Sequence, residues 1–418
     1  MSELYEVKEE IERIILVGVA LDSDDDTKEC LDELEELAET AGAVVISKII
    51  QNRENIHPGT YIGKGKIQEV KEQIEKLDAT GVVCDDELSP AQINNLEEEL
   101  GVKVIDRTVM ILDIFAQRAS TREGKIQVEL AQLKYRSSRL TGLGKSLSRL
   151  GGGIGTRGPG EKKLEMDRRL IRNRISQLKK ELEEVKQNRE TTRKQRQANA
   201  IPVVSIVGYT NAGKSTLLNA FTDANVLAED KLFATLDPTT RNVTLETGQH
   251  VLLTDTVGFI RKLPHHLIDA FQSTLEEAKY ADILLHVVDA SNPLADVHMF
   301  TVYETLRKLG VEDKVVITLF NKQDKLENSE GILKDGQADY VLKISAKKKQ
   351  GLEEIMHTIE TILRERKVYI ETTISYQSAS KIQLIRKYGQ LLKEEYKEDG
   401  IGIEAYIPKD IYPAIMSV

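Results

Sequence analysis

The sequence predicts a multi-domain α/β protein: a small parallel α/β domain with a helical hairpin, then a larger α/β domain, then a small α+β tail. Three observations predict it. Apolar runs of strand length alternate with amphipathic helical stretches across residues 12–115, and an alternation of the same kind resumes at 201. Strands separated by helices of this length imply parallel sheets with right-handed crossovers. Between the two, residues 116–198 turn cationic and helical in pattern. At 418 residues the chain also exceeds one ordinary domain. The expected domains are 1–115, 116–198, 199–366 and 367–418.

In the first domain, Ile14 to Leu21 reads as a buried strand and Asp26 to Thr40 as an acidic helix with Leu31, Leu34 and Leu37 on one face. Ala43 to Ile50 is the second strand. A loop holding Gly63-Lys64-Gly65-Lys66 leads to a helix ending at Leu77. That loop lacks the spacing of a phosphate site and reads as a solvated basic helix start, with a basic loop meeting nucleic acid as the alternative. Gly81 to Cys84 is the third strand. Ser89-Pro90 opens a helix, Ser as N-cap and Pro at the first helical position. Val102 to Ile105 is the fourth strand.

Residues 116–200 carry 22 Lys and Arg against 9 Asp and Glu, a net +13 in a chain of net −10, so the remainder carries −23. Ile171, Ile175, Leu178, Leu182 and Val185 recur at 4-3-4-3 spacing, a coiled-coil seam. Ile126, Leu130 and Leu133 offer the facing side, which predicts an antiparallel hairpin. Between them, Thr141 to Gly160 holds eight glycines in residues 142–160. So many glycines build no core, and Lys145, Arg149, Arg157, Lys162 and Lys163 suit contact with a phosphate backbone. Residues 186–199 read as the end of the second helix or a linker. The tail reads as a strand (Tyr369 to Tyr376), a helix (Lys381 to Tyr396) and a strand (Ile401 to Ile407).

The third domain carries the chemistry. A Val/Ile strand ends at Gly208, followed by Tyr209, Thr210, Asn211, Ala212, Gly213, Lys214 and Ser215, the spacing of a phosphate-binding loop. Its backbone N–H groups point at phosphate oxygens, Lys214 adds charge near the β- and γ-phosphates, and the Ser215 hydroxyl suits Mg²⁺. Downstream stands Phe233-Ala234-Thr235-Leu236-Asp237, where a switch segment should lie; Thr235, Thr239 and Thr240 compete to ligate Mg²⁺ and sense the γ-phosphate. Asp255-Thr256-Val257-Gly258 ends a strand. Asp255 reaches Mg²⁺ directly or through water, and Gly258 gives an N–H to the γ-phosphate. Asn321-Lys322-Gln323-Asp324 ends another, and the Asp324 carboxylate accepts both donors on the guanine N1/N2 edge, a pair that adenine lacks. Ser345-Ala346-Lys347 is placed to meet the base through backbone N–H groups. Five motifs in order, most at strand C-terminal ends, predict a GTP/GDP-binding domain.

Phe259 follows Gly258 where a Gln would orient the attacking water, so slow intrinsic turnover and stimulation by a partner are expected, with Lys214, Thr235 and Gly258 as the catalytic set. Asn211 resembles the Asn of potassium-assisted GTPases, which raises K⁺ as a cofactor, and it equally suits a tight turn. Cys30 and Cys84 read as inert buried thiols in a reducing compartment. Residues 1–10 are acidic, without a signal-peptide apolar region, and no apolar run approaches the ~20 residues of a spanning helix, so a soluble cytoplasmic protein and a monomer are expected.

The chain resembles the HflX GTPases of the translation-factor-related class. The resemblance is carried by Tyr61 to Lys66, Asp85 to Gln92, Val104 to Arg107, Ile111 to Arg118, Gln127 to Leu133, Gly151 to Ile154 with Gly158 to Glu161, and Gly208 to Ser215. It implies a ribosome-associated GTPase that binds the large subunit and its rRNA, splits stalled ribosomes, and is stimulated by them. It also selects Thr235 as the Mg²⁺ ligand. The chain departs from the family at Lys162-Lys163, where Thr-Gln is usual, and at Ser138, where Pro is usual. An assembly or anti-association role on free large subunits is the alternative.

Overall fold

A computed structural model describes residues 11–21, 26–147, 159–198, 201–222, 232–234, 236–263, 277–326, 333–397, 399–409 and 411–416. It divides into two units: residues 1–185 with 229–237 and 258–273, and residues 186–228, 238–257 and 274–418.

The first unit is built on a four-stranded parallel sheet in the order β2-β1-β3-β4, formed by β1 (Arg13–Ala20), β2 (Val44–Asn52), β3 (Gly81–Cys84) and β4 (Lys103–Asp106). Helices α1 (Thr27–Ala41), α2 (Lys64–Leu77) and α3 (Pro90–Leu100) connect the strands. Leu31, Leu34 and Leu37 are fully buried, as the helical spacing predicts. Ser89 makes a reciprocal capping box with Gln92. Gly63 caps α2 and Lys66 pairs with Glu69, so the Gly63–Lys66 stretch is a helix start.

The sequence pattern marks no element after Ile105, yet β4 runs straight into α4 (Arg107–Arg118). Asp106 makes this abrupt join possible. Its carboxylate accepts the Val109 amide, the Leu88 amide, the Tyr135 hydroxyl and the Arg139 guanidinium. One buried side chain therefore caps α4 and binds α5 (Arg122–Leu147) to the sheet.

The helix α6 (Pro159–Ala198) completes the hairpin. Ile126, Leu130 and Leu133 pack with Ile175, Leu178 and Leu182, the seam that the heptad spacing predicts. Arg174 forks onto both Glu129 oxygens at 2.7 and 3.0 Å across it. One expectation changes. The glycine-rich stretch expected from Thr141 is helical to Leu147 and again from Pro159, and of the two readings of 186–199 the end of the second helix is the one that holds, as far as Ala198. Residues 148–158, with Arg149 and Arg157, lie outside the described residues, as do the side chains of Lys145, Lys162 and Lys163.

The second unit holds a six-stranded sheet, β10-β9-β8-β5-β7-β6. Its strands are β5 (Val203–Gly208), β6 (Thr239–Thr244), β7 (His250–Asp255), β8 (Ile283–Asp289), β9 (Val315–Asn321) and β10 (Tyr340–Lys343). All pairings are parallel except β6 on β7. Helices α7 (Lys214–Thr222), α8 (Ala295–Lys308) and α9 (Leu352–Glu365) accompany it.

The tail is a three-stranded antiparallel sheet, β11-β13-β12, with β11 (Lys367–Ile374), β12 (Gln390–Lys397) and β13 (Gly400–Pro408). A helix α10 (Ala379–Tyr388) packs Ile382 and Ile385 against Ile370, Ile401, Ile403 and Ile407, and a short α11 (Tyr412–Met416) follows. The helix expected to Tyr396 thus stops at Tyr388. At Gly389 a Cβ would press on the Ile385 and Tyr406 carbonyls, and 390–397 pairs with β13. Pairing overrides the helix-forming composition of Leu391 to Glu395.

Candidate functional site

The motifs converge on the C-terminal edge of the six-stranded sheet. Gly208 ends β5 at φ +154°, and a Cβ there would overlap the Val287 carbonyl; Gly213 opens α7 at φ +99°, and a Cβ there would overlap the Asn321 amide. Both glycines are obligatory for close approach. Asn211 sits in the left-handed region at φ +57°, a conformation Asn tolerates. Lys214 is buried, and its Nζ donates to the Tyr209 carbonyl at 2.6 Å. Burial pulls its ammonium down to about 8, against the opposing pull of Asp255. Ser215 Oγ donates to Asp255 Oδ2 at 2.7 Å, and Thr256 Oγ1 to the Ile206 carbonyl at 2.7 Å. The Tyr209 ring stacks on His298 with centroids 3.7 Å apart.

The Asn321–Asp324 and Ser345–Lys347 motifs meet the phosphate loop through one side chain. The buried Asn321 amide donates from Nδ2 to the Ala212 carbonyl and accepts the Ala346 N–H at Oδ1, each at 2.9 Å. It thus ties together the loop, the end of β9 and the Ser345-Ala346-Lys347 turn. Ser345 Oγ donates to Asp324 Oδ1 at 2.6 Å, which holds that carboxyl below the usual carboxylate range. Lys322, at φ +62°, lays its ammonium on Asp289 at 2.7 Å. Gln323 is spent on the Phe320 carbonyl, and Lys347 is exposed.

The Phe233–Asp237 segment was expected as a switch. It belongs to the first unit, with Thr235 outside the described residues. Phe233, at φ +53°, meets Phe115 edge-to-face at 4.6 Å, and Leu236 is buried. The Asp237 carboxylate accepts the N–H and hydroxyl of both Ser120 and Thr121 at 2.5–2.9 Å. Burial pushes this carboxyl up, and those bonds more than reverse it. A Cβ at Gly124 would overlap Asp237 Oδ1, so Gly124 makes room for the contact.

The residues after Gly258 are held in the same unit. Phe259 is buried, a ring packed away from solvent. Lys262 Nζ bridges Asp85 Oδ2 at 2.5 Å and Asp86 Oδ1 at 2.9 Å, and Arg261 pairs with Asp26. Asp85 Oδ1 also takes the buried Arg107 at 2.7 Å, and Tyr61 donates to Asp86. Sequence reasoning missed Ser120, Thr121, Gly124 and Lys262; the one local signal was a pair of carboxylates closing a buried strand, Asp85-Asp86. Both cysteines are free and buried, and burial pushes the Cys30 thiol up to about 12, as inert thiols require.

A glycine-bounded loop after β5, the buried Lys214, the Ser215–Asp255 pair and the Asp324 carboxylate share one sheet edge. Together with the family match, they define a phosphate-loop GTP hydrolase that binds GTP and GDP. Residues 28–116 match the model described as "GTP-binding GTPase N-terminal", 118–196 "GTP-binding GTPase Middle Region" and 203–322 "50S ribosome-binding GTPase". The chain belongs to the HflX family of GTPases. It is 67% identical over 415 residues to GTPase HflX of Lacrimispora saccharolytica, covering 99% of this chain and 98% of that one. It is 50% identical over 408 residues to that of Caldanaerobacter subterraneus subsp. tengcongensis (98% and 94%) and 46% over 319 to that of Escherichia coli (76% and 75%). Among the described residues no helix is long and apolar enough to cross a membrane.

Proposed function

We propose that the GTP-loaded protein docks on the large ribosomal subunit and splits stalled or idle ribosomes, and that hydrolysis releases it. The carrying observation is the +13 hairpin segment on an otherwise acidic chain whose nucleotide domain matches a 50S ribosome-binding model. Lys145, Arg149, Arg157, Lys162 and Lys163 are its rRNA contacts, neutralising backbone phosphates. GTP sits in Gly208 to Ser215, with Asp324 reading guanine and Ser345 to Lys347 closing on the base. Mg²⁺ is held by Ser215 and Thr235, with Asp255 acting through water; a hydroxyl beside a carboxylate suits this hard, water-retaining cation. Lys214, Thr235 and the Gly258 N–H stabilise the transferring phosphoryl group. Phe259 places no water, so turnover is slow until the ribosome orders the switch segments. K⁺ at Asn211 would speed turnover in KCl over NaCl.

A sucrose gradient of intact ribosomes with protein and a non-hydrolysable GTP analogue tests this. Loss of the intact peak is expected. An unchanged peak with protein only on free large subunits overturns splitting in favour of the assembly or anti-association role.

A further inference from the structure

We infer that the cleft where β11 leaves α9 binds a phosphate-bearing ligand of nucleotide size, at a site separate from the phosphate loop. The cleft holds about 740 Å³, within the range of small-molecule sites. Three cations line it, Arg366, Lys367 and Arg386, and Asp282 is the one carboxylate on its described lining.

The three cations are not equally satisfied. Arg386 holds both Glu394 oxygens at 2.7 Å. Arg366 rests on Asp282, 3.0 Å from its carbonyl and 3.5 Å from Oδ1. Lys367 is half-buried, and its hydrogen bond goes to a neutral group, Gln249 Oε1 at 2.8 Å. Burial lowers its ammonium pKa, and among the described residues no carboxylate opposes the shift. A desolvated charge without a counter-charge is costly, and a ligand phosphate in the cleft would supply one through charge-assisted hydrogen bonds. Arg366, the adjacent residue, brings a guanidinium fork suited to the same phosphate.

The remaining lining argues for more than a bare anion. Pro202, Leu363, Tyr388 and Pro408 give the cleft an apolar wall, of the kind on which a base packs. The shared chemistry is a nucleoside phosphate, free or at the end of a single-stranded RNA. Pro202 directly precedes β5, the strand that ends in the phosphate loop, so an occupant touches the root of that strand.

The test uses the full chain saturated with GDP and Mg²⁺, which blocks the phosphate loop. AMP is titrated by calorimetry, a 5′-phosphorylated hexaribonucleotide by anisotropy, and inorganic phosphate competes against each. One saturable site displaced by phosphate is expected. K367M should weaken it at least tenfold and K367R less than threefold, both with unchanged GDP affinity. K367M should also raise the melting temperature, because it removes an uncompensated charge, and R366Q, at an exposed position, should weaken binding in a chain whose fold is not at risk. Saturation by AMP identifies a free nucleotide, and saturation by the RNA alone identifies an RNA end. The inference fails if none of the three probes saturates, or if K367M and R366Q both bind as the parent does.

Discussion

Two carboxylates show how much one residue's surroundings decide. Asp324 has one oxygen fixed by Ser345, and in the proposed function its carboxylate selects guanine. Replacing it by Asn turns one acceptor into a donor that clashes with the guanine amine. Asp324→Asn should lose about 10²-fold or more in GTP affinity while the fold melts as before, read by nucleotide competition. Asp237 has every oxygen committed to Ser120 and Thr121, and Gly124 leaves no room for a Cβ beside it. Asp237→Ala should cost about 1–3 kcal/mol of local stability by orphaning those donors. Gly124→Ala should mimic it by steric exclusion. Amide hydrogen exchange over 120–124 and 236–237 checks both, and protection equal to the parent's would contradict the contact. The Asp324 site was legible in the sequence because its partners lie in short motifs in fixed order. The Asp237 contact was not, because its partners stand more than 100 positions away, and no local pattern marks two hydroxyl residues as the start of a clasp.

At the scale of elements, the nucleotide sheet carries a buried polar join that links β8, α8 and β9 to the loop before β10. Asp335 accepts the Tyr303 and Thr318 hydroxyls, each at 2.6 Å, and stands 3.7 Å from His286 Nδ1. Burial lowers the His286 pKa, so that the ring stays neutral. Burial pushes the Asp335 carboxyl up, but its hydrogen-bond donors hold it well below the usual range. The unfolded chain protonates His286 below 6.5 and Asp335 below 3.8, while the folded chain resists both, so stability is lost as pH falls through those values. Urea melts at pH 7, 5 and 3.5 should trace two successive losses. Asp335→Asn should cost about 1–3 kcal/mol at pH 7, remove the lower loss and deepen the upper one, because Asp335 holds the His286 pKa up against burial. The central strands β5, β8 and β9 were legible because they are mainly apolar, as buried parallel strands must be. The exceptions were elements whose identity depends on distant partners. Residues 390–397 have helix-forming composition and become a strand by pairing with β13. Helix α4 was hidden because its cap, Asp106, looks like the end of a strand until Tyr135 and Arg139 are brought to it.

At the scale of the whole chain, charge is segregated along the sequence: +13 over residues 116–200 and −23 over the rest. A uniform acidic protein would be repelled by RNA, whereas a cationic arm on an acidic body engages RNA only through the arm. Each backbone phosphate that the arm neutralises releases a condensed counterion, so binding must weaken with salt in proportion to the number of phosphates neutralised. If Lys145, Arg149, Arg157, Lys162 and Lys163 are the neutralising groups, changing all five to Gln should flatten the salt dependence of large-subunit binding. For single strands the slope falls by about 0.7 for each phosphate left without its cation. GTP affinity should not change, because the nucleotide site draws on none of the five. Co-sedimentation with large subunits across a potassium chloride series measures the slope. An unchanged slope with weaker binding would place the phosphate-binding groups elsewhere on the 116–198 hairpin, and an unchanged affinity at every salt concentration would remove the arm from ribosome recognition altogether.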